Sequence, residues 1–474
     1  MKPILSHYRP RYIRALVYML QSCEYEPTHY WKWYRRTHDF SQLEQRSHLD
    51  KTIKARVLIA VGWILAVSYW LSLSLLIYHQ NRMILITAII IGFILTPYLL
   101  AILIVIPVWA LGLGQKYYER RVIAQTITYL QKHPATKIAI AGSFGKTSMR
   151  QILYTILNEG QRTAAAEHNY NTPLGIGRFV SSLTGLEEVL IFELGEYYPG
   201  DVKRLASMTL PDLGIITGVN EAHLERFGSI ERTTATIFEL ADYLGTKPVY
   251  VNADNDLSGQ TASRTHIAYS TAGCGSVTIN HVKVAADGTS FSVKLLGNHY
   301  AAHTKLLGTH NLGPIAAAAT IALELGLTPA QVITGIAKTT PFEHRLEPSR
   351  RGDVTYIDDS YNGNPDGVKA AIELLKTMPA HEHFYVTPGL VEMGTSSDAV
   401  HRQIGAWLAA ANIEQVILIR SSVTEMIAKG LAEHNFTGRL RWFSTGPQAF
   451  RALPNLTVAD DVVLLQNDWP DQYS

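Results

Sequence analysis

Two long stretches of the chain carry no charge, and outside them the apolar positions keep changing period. Val57 to Tyr78 is uncharged over about 22 residues, enough for an α-helix to cross a bilayer. His79-Gln80-Asn81-Arg82 breaks the run, and Met83 to Leu113 resumes it over about 31 residues, more than one straight span requires. Pro97 and Pro107 are placed to kink this second run, and Trp109 suits a membrane interface. Two buried core helices would have the same composition, but such long runs around so short a polar break predict a membrane hairpin. Two re-entrant pieces in the second run are less favoured, because no charged turn divides it. After Lys116 the runs shorten, and strand-like segments alternate with segments of helical spacing, the signature of an α/β fold. Lys137–Ala141, Val189–Glu193, Asp212–Val219, Val354–Asp359, Phe384–Gly389, Gln415–Ile419 and Val462–Leu465 read as buried strands. A shift in composition over Lys338–Arg351 marks a boundary, leaving a C-terminal part of plausible domain size.

Charge changes this picture at one end. Over 474 residues the net charge is +2, which argues against a nucleic-acid partner. The first 56 residues are nevertheless basic and aromatic: Arg9, Arg11, Arg14, Lys32, Arg35, Arg36, Lys51, Lys54 and Arg56 are interleaved with Tyr30, Trp31, Trp33 and Tyr34. Nucleic-acid binding is one reading of such a segment, but directly before an apolar span it is expected to lie on an anionic membrane surface. The apolar run starts too late, and lacks the small-residue cleavage pattern, for a signal peptide. Lys/Arg at both ends of the hairpin, Lys116, Arg120 and Arg121 among them, place both ends in the cytoplasm. The two cysteines, Cys23 and Cys274, form neither a disulfide framework nor a zinc cluster.

The chemistry concentrates after the strand at Lys137–Ala141. Gly142-Ser143-Phe144-Gly145-Lys146-Thr147-Ser148 opens a helix-patterned stretch. Glycines let successive N–H groups face one point, and a helix N-terminus adds a favourable field for anions. Lys146 would reach the β/γ phosphates, and the Thr147 hydroxyl would hold Mg²⁺. The spacing departs from a full Walker A, which requires glycine where Ile140 stands. A strand–turn–helix that merely contains Gly-Lys-Thr is the alternative, but the flanking strand and helix favour nucleotide binding. In doubly wound sheets ligands gather at the carboxyl ends of strands, so Glu193 and His223 are expected at the same place. Glu193 would be a hard oxygen ligand for Mg²⁺, whereas a lone histidine is more often structural.

Together these motifs resemble the Mur ligase family, and within it the branch that joins D-alanyl-D-alanine to a UDP-muramoyl tripeptide. The resemblance runs from Lys137 to the C-terminus. Gly142–Ser148 resembles the family's phosphate loop, and Asn169-Tyr-Asn171-Thr172-Pro-Leu-Gly175 its substrate-side loop. Phe192-Glu193-Leu-Gly195 and Asn220-Glu-Ala-His223-Leu224 match its metal-binding Glu and His. Gly308-Thr-His310-Asn311 resembles its adenine-side motif, and His344-Arg345-Leu-Glu347 carries its phosphate-contacting arginine. Asp358-Asp359-Ser-Tyr-Asn362-Gly-Asn364-Pro365 resembles the branch signature, with Asp359 on the nucleotide and Asn362 and Asn364 towards substrate. The chain departs from the pattern at four places. Pro314 stands where a second adenine-side Asn is usual. Ile237 occupies the position of a carbamylated lysine, with Glu239 as a possible substitute. Gln466-Asn-Asp468 replaces Lys-Gly-Ser. The basic segment and hairpin stand where the family has a UDP-recognition domain.

The resemblance implies an ATP- and Mg²⁺-dependent amide ligase that forms an acyl phosphate on a muramoyl peptide. A D-amino-acid dipeptide or similar amine would be the acceptor. Lys146, His223 and Arg345 would serve catalysis, and Thr147, Glu193 and His223 the metal. The expected layout is a basic segment (1–56), a transmembrane hairpin (57–114), a P-loop-type ATPase domain (115–340) and a Rossmann-like domain (341–474). Membrane lipid, and other wall-synthesis proteins, are the expected partners, with the catalytic domains in the cytoplasm. Two other readings stay open: a ligase acting on a lipid-linked precursor or another carboxylate, and a non-enzymatic nucleotide-binding scaffold.

Overall fold

The computed structural model describes residues 6–9, 11–23, 25–37, 39–40, 43, 49–77, 82–166, 170–220, 227–285, 287–361, 363–390, 393 and 396–467. They fall into two compact units, one holding Met1–Arg120 and the other Arg121–Asp468.

The first unit is helical: α1 (Tyr12–Ser22), α2 (Pro27–Arg36), α3 (Ile53–Ile77), α4 (Arg82–Leu103) and the start of α5 (Val105–Lys132). Two stretches, Ile53–Leu76 and Ile86–Trp109, are long and apolar enough to cross a membrane. Their apolar side chains face outward, Ile64 at 62% and Ile90 at 54% exposure, a distribution that water would penalise and lipid would not. The second apolar run is not one straight helix. It breaks at Ile104, because Pro107 has no N–H to offer the Leu103 carbonyl. Pro97 stays inside α4. Within the basic N-terminal segment α1 is enclosed, with Leu16, Val17, Met19 and Leu20 fully buried. A Cβ on Gly62 of α3 would lie 2.6 Å from Ile13, so glycine permits the crossing of α1 over α3. Tyrosine hydroxyls then fasten the segment to α4: Tyr8 donates to the Ile94 carbonyl (3.3 Å), Tyr12 to Pro97 (3.2 Å) and Tyr30 to Ala101 (3.1 Å). Of the polar break, His79, Gln80 and Asn81 lie outside the described residues, and Arg82 is the first residue of α4.

The second unit carries two sheets. The first contains β1 (Thr136–Ala141), β2 (Thr163–Ala165), β3 (Val189–Glu193), β4 (Leu213–Ile216), β5 (Val249–Asn252), β6 (Ile267–Ser270), β7 (Gly273–Cys274), β8 (Val277–Ala285), β9 (Gly288–Leu295) and β10 (Asn298–Thr304). Their order is β10-β9-β8-β7-β6-β5-β4-β1-β3-β2. Strands β2 to β6 run parallel with β1, and the rest form an antiparallel extension. Both faces are covered, which is why the strands read as continuous apolar runs. Ile138 and Ile140 join a core with Met149, Ile152 and Leu153, while Ala139 and Ala141 join another with Phe192, Ile216 and Leu240. The helices that matter here are α6 (Lys146–Leu157), α7 (Pro173–Ser181), α8 (Asp201–Thr209), α9 (Ile230–Leu244) and α10 (Leu312–Glu324).

The second sheet has the order β11-β12-β16-β13-β14-β15, from β11 (Glu347–Arg351), β12 (Val354–Asp359), β13 (His383–Thr387), β14 (Gln415–Ile419), β15 (Arg439–Phe443) and β16 (Val462–Gln466). All pairs are parallel except β11–β12 at the edge. Helix α11 (Pro365–Thr377) follows β12. The unit is thus a mixed α/β structure, as the alternating pattern predicts.

Candidate active site

Strands β1 and β4 are neighbours, and the chain leaves β1 towards β2 on one side and β4 towards β5 on the other. A crevice is expected at the carboxyl end of such a switch point. The segment there is Gly142–Gly145, leading into α6. Gly142 has φ +146°, and a Cβ on it would lie 2.1 Å from the Thr217 hydroxyl. Gly145 caps α6 at φ +74° with no side-chain cap, which leaves the first N–H groups of the helix for a ligand. Ser143 N–H donates to the Gly218 carbonyl (2.9 Å), and the Thr217 hydroxyl donates to the carbonyls of Ala141 and Phe144. The loop is therefore anchored to the end of β4.

The side chains of the loop meet two carboxylates. Lys146 Nζ donates to both oxygens of Glu196, at 2.7 and 2.8 Å, and to the Gly142 carbonyl. Thr147 Oγ1 donates to Glu193 Oε2 (3.3 Å), and Arg150 Nε lies 2.8 Å from Glu193 Oε1. Burial pushes the Glu193 carboxyl above its usual range, against the pull of Arg150 and Lys146. Glu196 was not anticipated from the sequence. Its signal was a second acid three residues beyond the strand-ending Glu193. His223 lies outside the described residues, as does Asn362.

Two adjoining cavities open beside the loop. The larger, about 430 Å³, is lined by Phe144, Gly145 and Ser148, by His310 and Asn311, and by Pro314 where the resemblance has a second Asn. Asn252, Asp254, Asn255 and Thr271 also line it. These were missed, although Asn252-Ala-Asp-Asn255, which begins at the last residue of β5, is turn chemistry at a strand's carboxyl end. Asn311 is turned inward, donating to the Leu307 carbonyl (2.8 Å). The smaller cavity, about 120 Å³, shares Phe144, Gly145, Ser148, His310 and Asn311 and adds Arg345, Asp359 and Asn364. The Arg345 guanidinium lies over the Tyr361 ring at 4.9 Å, and its buried Nε has no hydrogen-bond partner. A buried guanidinium N–H of that kind on a cavity wall suits an anion.

Other predicted residues have structural partners. Asp359 accepts from Gln466 Nε2 (2.7 Å) on one oxygen and from Leu346 N–H (3.2 Å) on the other, so it fixes the turn that carries Arg345. Asn364 caps α11 by accepting from Gly367 N–H (3.0 Å), and it accepts from Asn220 Nδ2 (2.8 Å) across the cleft. Thr172 caps α7 through Gly175 N–H (3.3 Å), and the Asn171 carbonyl accepts from Gly195 N–H (3.0 Å). Ile237 is fully buried in the core that includes Ala141 and Ile216, and it offers no ligand atom. Glu239, the possible substitute, has partners on the backbone. Its two oxygens accept from Gly200 N–H (2.8 Å) and Lys203 N–H (2.9 Å), at the N-terminus of α8. The donor set of Thr147 and Glu193, hard oxygens beside the phosphate loop, fits Mg²⁺.

The chain matches the Mur ligase middle domain over residues 140–322 and the Mur ligase, glutamate ligase domain over residues 344–466. The UDP-N-acetylmuramoyl-tripeptide–D-alanyl-D-alanine ligase of Escherichia coli is 29% identical over 312 residues, 64% of this chain and 69% of that protein. The Bacillus subtilis enzyme of the same name is 24% identical over 350 residues, 71% and 74% of the two chains. The fold is shared with MurF from Acinetobacter baumannii at a TM-score of 0.67, with 21% identity, 74% of this chain and 77% of that one. It is also shared with MurF ligase from Thermotoga maritima in complex with ADP at 0.65, with 21% identity, 74% and 80%. The two domain matches lie side by side and in family order, covering most of the chain and both walls of the cleft, and on them this chain belongs to the Mur ligase family.

Proposed function

We propose that this chain is a membrane-anchored, ATP-dependent amide ligase of the MurF type, laid out as 1–56, 57–114, 115–340 and 341–474. The observation that carries the reading is the convergence of the Lys146 loop and the unpartnered Arg345 Nε on adjoining cavities. A peptide carboxylate oxygen attacks the γ-phosphorus of ATP, giving an acyl phosphate and ADP. The amine of D-Ala-D-Ala, or a similar amine, then attacks the acyl carbon, phosphate leaves with the acyl C–O electrons, and the amine loses a proton. The α6 N–H groups and Lys146 hold the phosphates, and Arg345 places charge on the transferred phosphoryl group from the other wall. Asn220 and Asn364 hold the walls together, which excludes water from the acyl phosphate. Thr147, Glu193 and His223 are the proposed Mg²⁺ holders, and Mg²⁺ would supply positive charge against the phosphoryl oxygens. The adenine is assigned to the larger cavity beside His310 and Asn311, and the muramoyl peptide to the side of Asn171, Thr172, Asn362 and Asn364.

The test is ADP release from the full chain with a panel of UDP-linked and lipid-linked muramoyl peptides and D-Ala-D-Ala. Release that needs both carboxylate and amine is expected, and ATP turnover indifferent to both would refute the ligase. A second reading, that the carboxylate substrate is lipid-linked, is supported by the two helices of membrane length. Confinement to a membrane raises the effective concentration of a lipid-linked substrate. It predicts that full-length protein in vesicles prefers the lipid-linked peptide, whereas residues 116–474 alone lose that preference. Equal use of both substrates by both forms leaves the hairpin as an anchor only.

A further inference from the structure

Lys146 is the residue that the phosphates of a nucleotide must reach, yet it is already engaged. Its ammonium lies 2.7 and 2.8 Å from the two Glu196 oxygens, and the Glu196 side chain is only 2% exposed. Glu196 is held from both sides. Leu194 N–H donates to the Ile140 carbonyl (2.9 Å), and Gly195 N–H donates to the Asn171 carbonyl (3.0 Å). A Cβ on Gly195 would lie 2.7 Å from that same carbonyl oxygen, so the chain cannot shift far there. On the far side, Asp201 accepts from Tyr197 N–H (3.2 Å) and Tyr198 N–H (2.8 Å), and Glu239 accepts from Gly200 N–H. The carboxylate is therefore built into the phosphate end of the site and is not a mobile surface acid.

This placement creates a conflict. A triphosphate that draws Lys146 towards itself leaves Glu196 as a buried anion without its cation, next to an incoming polyanion. Buried charge of that kind is strongly disfavoured unless it is paired. The neighbouring buried carboxylate, Glu193, already has Arg150 and Thr147 and cannot release a cation to Glu196 without the same loss. We propose that Glu196 is a positioning residue that couples nucleotide to divalent cation. In the free protein it retains Lys146, and a divalent cation arriving with the nucleotide takes the place of the ammonium beside Glu196, freeing Lys146 for the phosphates. The inference rests on the ATP-site reading above. It also gives this chain a carboxylate at the phosphate end of the site, while Ile237 is aliphatic and both Glu239 oxygens already accept backbone N–H groups.

Coupling between two ligands is reciprocal, so it can be read from either side. The experiment is calorimetry of a non-hydrolysable ATP analogue on full-length protein, with Mg²⁺ and with chelator, together with Mn²⁺ binding followed by electron paramagnetic resonance with and without the analogue. For the natural protein the cation is expected to tighten the analogue about 100-fold, near the upper end of ordinary coupling factors. In Glu196→Gln the chelated affinity rises about tenfold and the cation's gain falls below about tenfold, with the same loss of coupling on the Mn²⁺ side. Glu196→Asp keeps the charge and retains coupling within about threefold of the natural value. Equal weakening of the analogue by Glu196→Gln with and without Mg²⁺, the coupling factor unchanged, overturns the proposal and leaves Glu196 as a prop for the lysine. Failure of the natural protein to bind the analogue under any condition would strike at the ATP-site reading itself.

Discussion

The two walls of the nucleotide cleft are built by different means. On the phosphate-loop wall the ligand-facing groups are largely main-chain, and short uncharged contacts hold them: Gly142 fits against Thr217 only because it has no Cβ, and Ser143 is bonded to Gly218. On the C-terminal wall the ligand-facing group is one long side chain. Arg345 sits on a turn that Asp359 holds through Leu346 N–H, and Gln466 holds Asp359 in turn. The first wall is rigid and all-or-none. The second is a relay of side chains in which each member can be weakened separately. The difference teaches that equal distances from a phosphate need not mean equal sensitivity to mutation.

The largest effect is expected on the rigid wall. Lys146→Ala should lower ligation at least about 10³-fold, because Lys146 is the one cationic side chain of the phosphate loop Gly142–Ser148. It should also cost about 3 kcal/mol of stability, since Glu196 is left buried without a partner. The double variant Lys146→Met/Glu196→Gln removes both charges and should regain most of the melting temperature while activity stays lost. A single variant as stable as the natural protein would show that the ion pair is not buried in solution.

This contrast also explains what could be read from the sequence. The loop wall is local: strand, Gly-Ser-Phe-Gly-Lys-Thr and helix lie within a short stretch, and the carboxyl end of β3 announces itself by Glu193. The parallel strands were legible for the same reason, being apolar on both faces. The relay was not legible from residues alone, because Gln466 and Asp359 meet only through the β12–β16 pairing, which no local pattern encodes. Resemblance supplied Arg345 and Asp359, but not that Asp359 serves the turn. Glu196 and the Asn252–Asn255 turn were overlooked because a lone acid or a polar turn after a strand is common. The bonds of Glu239 to Gly200 and Lys203 were not legible either, because they join α9 to the start of α8.

Arg345→Ala tests the relay at its tip. A fall of about 10² in kcat, with a smaller change in analogue binding, is expected of a group that acts on charge developing in the transition state. Arg345→Lys should not rescue it, since a lysine has neither the planar fork nor the stacking on Tyr361. A change confined to KM would instead place Arg345 on a part of the nucleotide that does not react.

Asn364 joins the two walls and does two things at once. Asn364→Ala should lose the α11 cap, about 1 kcal/mol, and also the bond from Asn220. Asn364→Ser keeps a capping oxygen but is too short to reach Asn220. It should restore stability and leave KM for ATP raised about threefold, the scale of one neutral hydrogen bond. Full recovery of KM by Ser would mean that the cap alone matters and that the walls need no tie.

The smallest effect belongs to pH. His344 Nδ1 lies 2.8 Å from Asp358 Oδ2, on the turn that carries Arg345. The Asp358 hydrogen bond raises His344 above the usual imidazole value. Burial pushes Asp358 up, but donation from Ser360 and His344 outweighs it and leaves Asp358 below the usual carboxylate value. The signs fix a window. A raised His contributes in full below its unfolded value, about 6.5, and its share disappears as pH rises through the folded value. A lowered Asp contributes in full above about 3.9 and fades as pH falls through its folded value. The pair should therefore stabilise the turn most between about pH 4 and 6.5, by about 0.5 kcal/mol, since the His344 side chain is 49% exposed and solvent screens it. Urea midpoints of the natural protein and His344→Gln should differ at pH 6 and converge by pH 9. Backbone amides, which hold the other wall, do not titrate in this range, so Gly142→Ala should cause a loss that does not vary with pH. If the advantage of His344 grew with rising pH, the imidazole would be acting as a neutral acceptor, and the ion pair would not be what steadies the turn beneath Arg345.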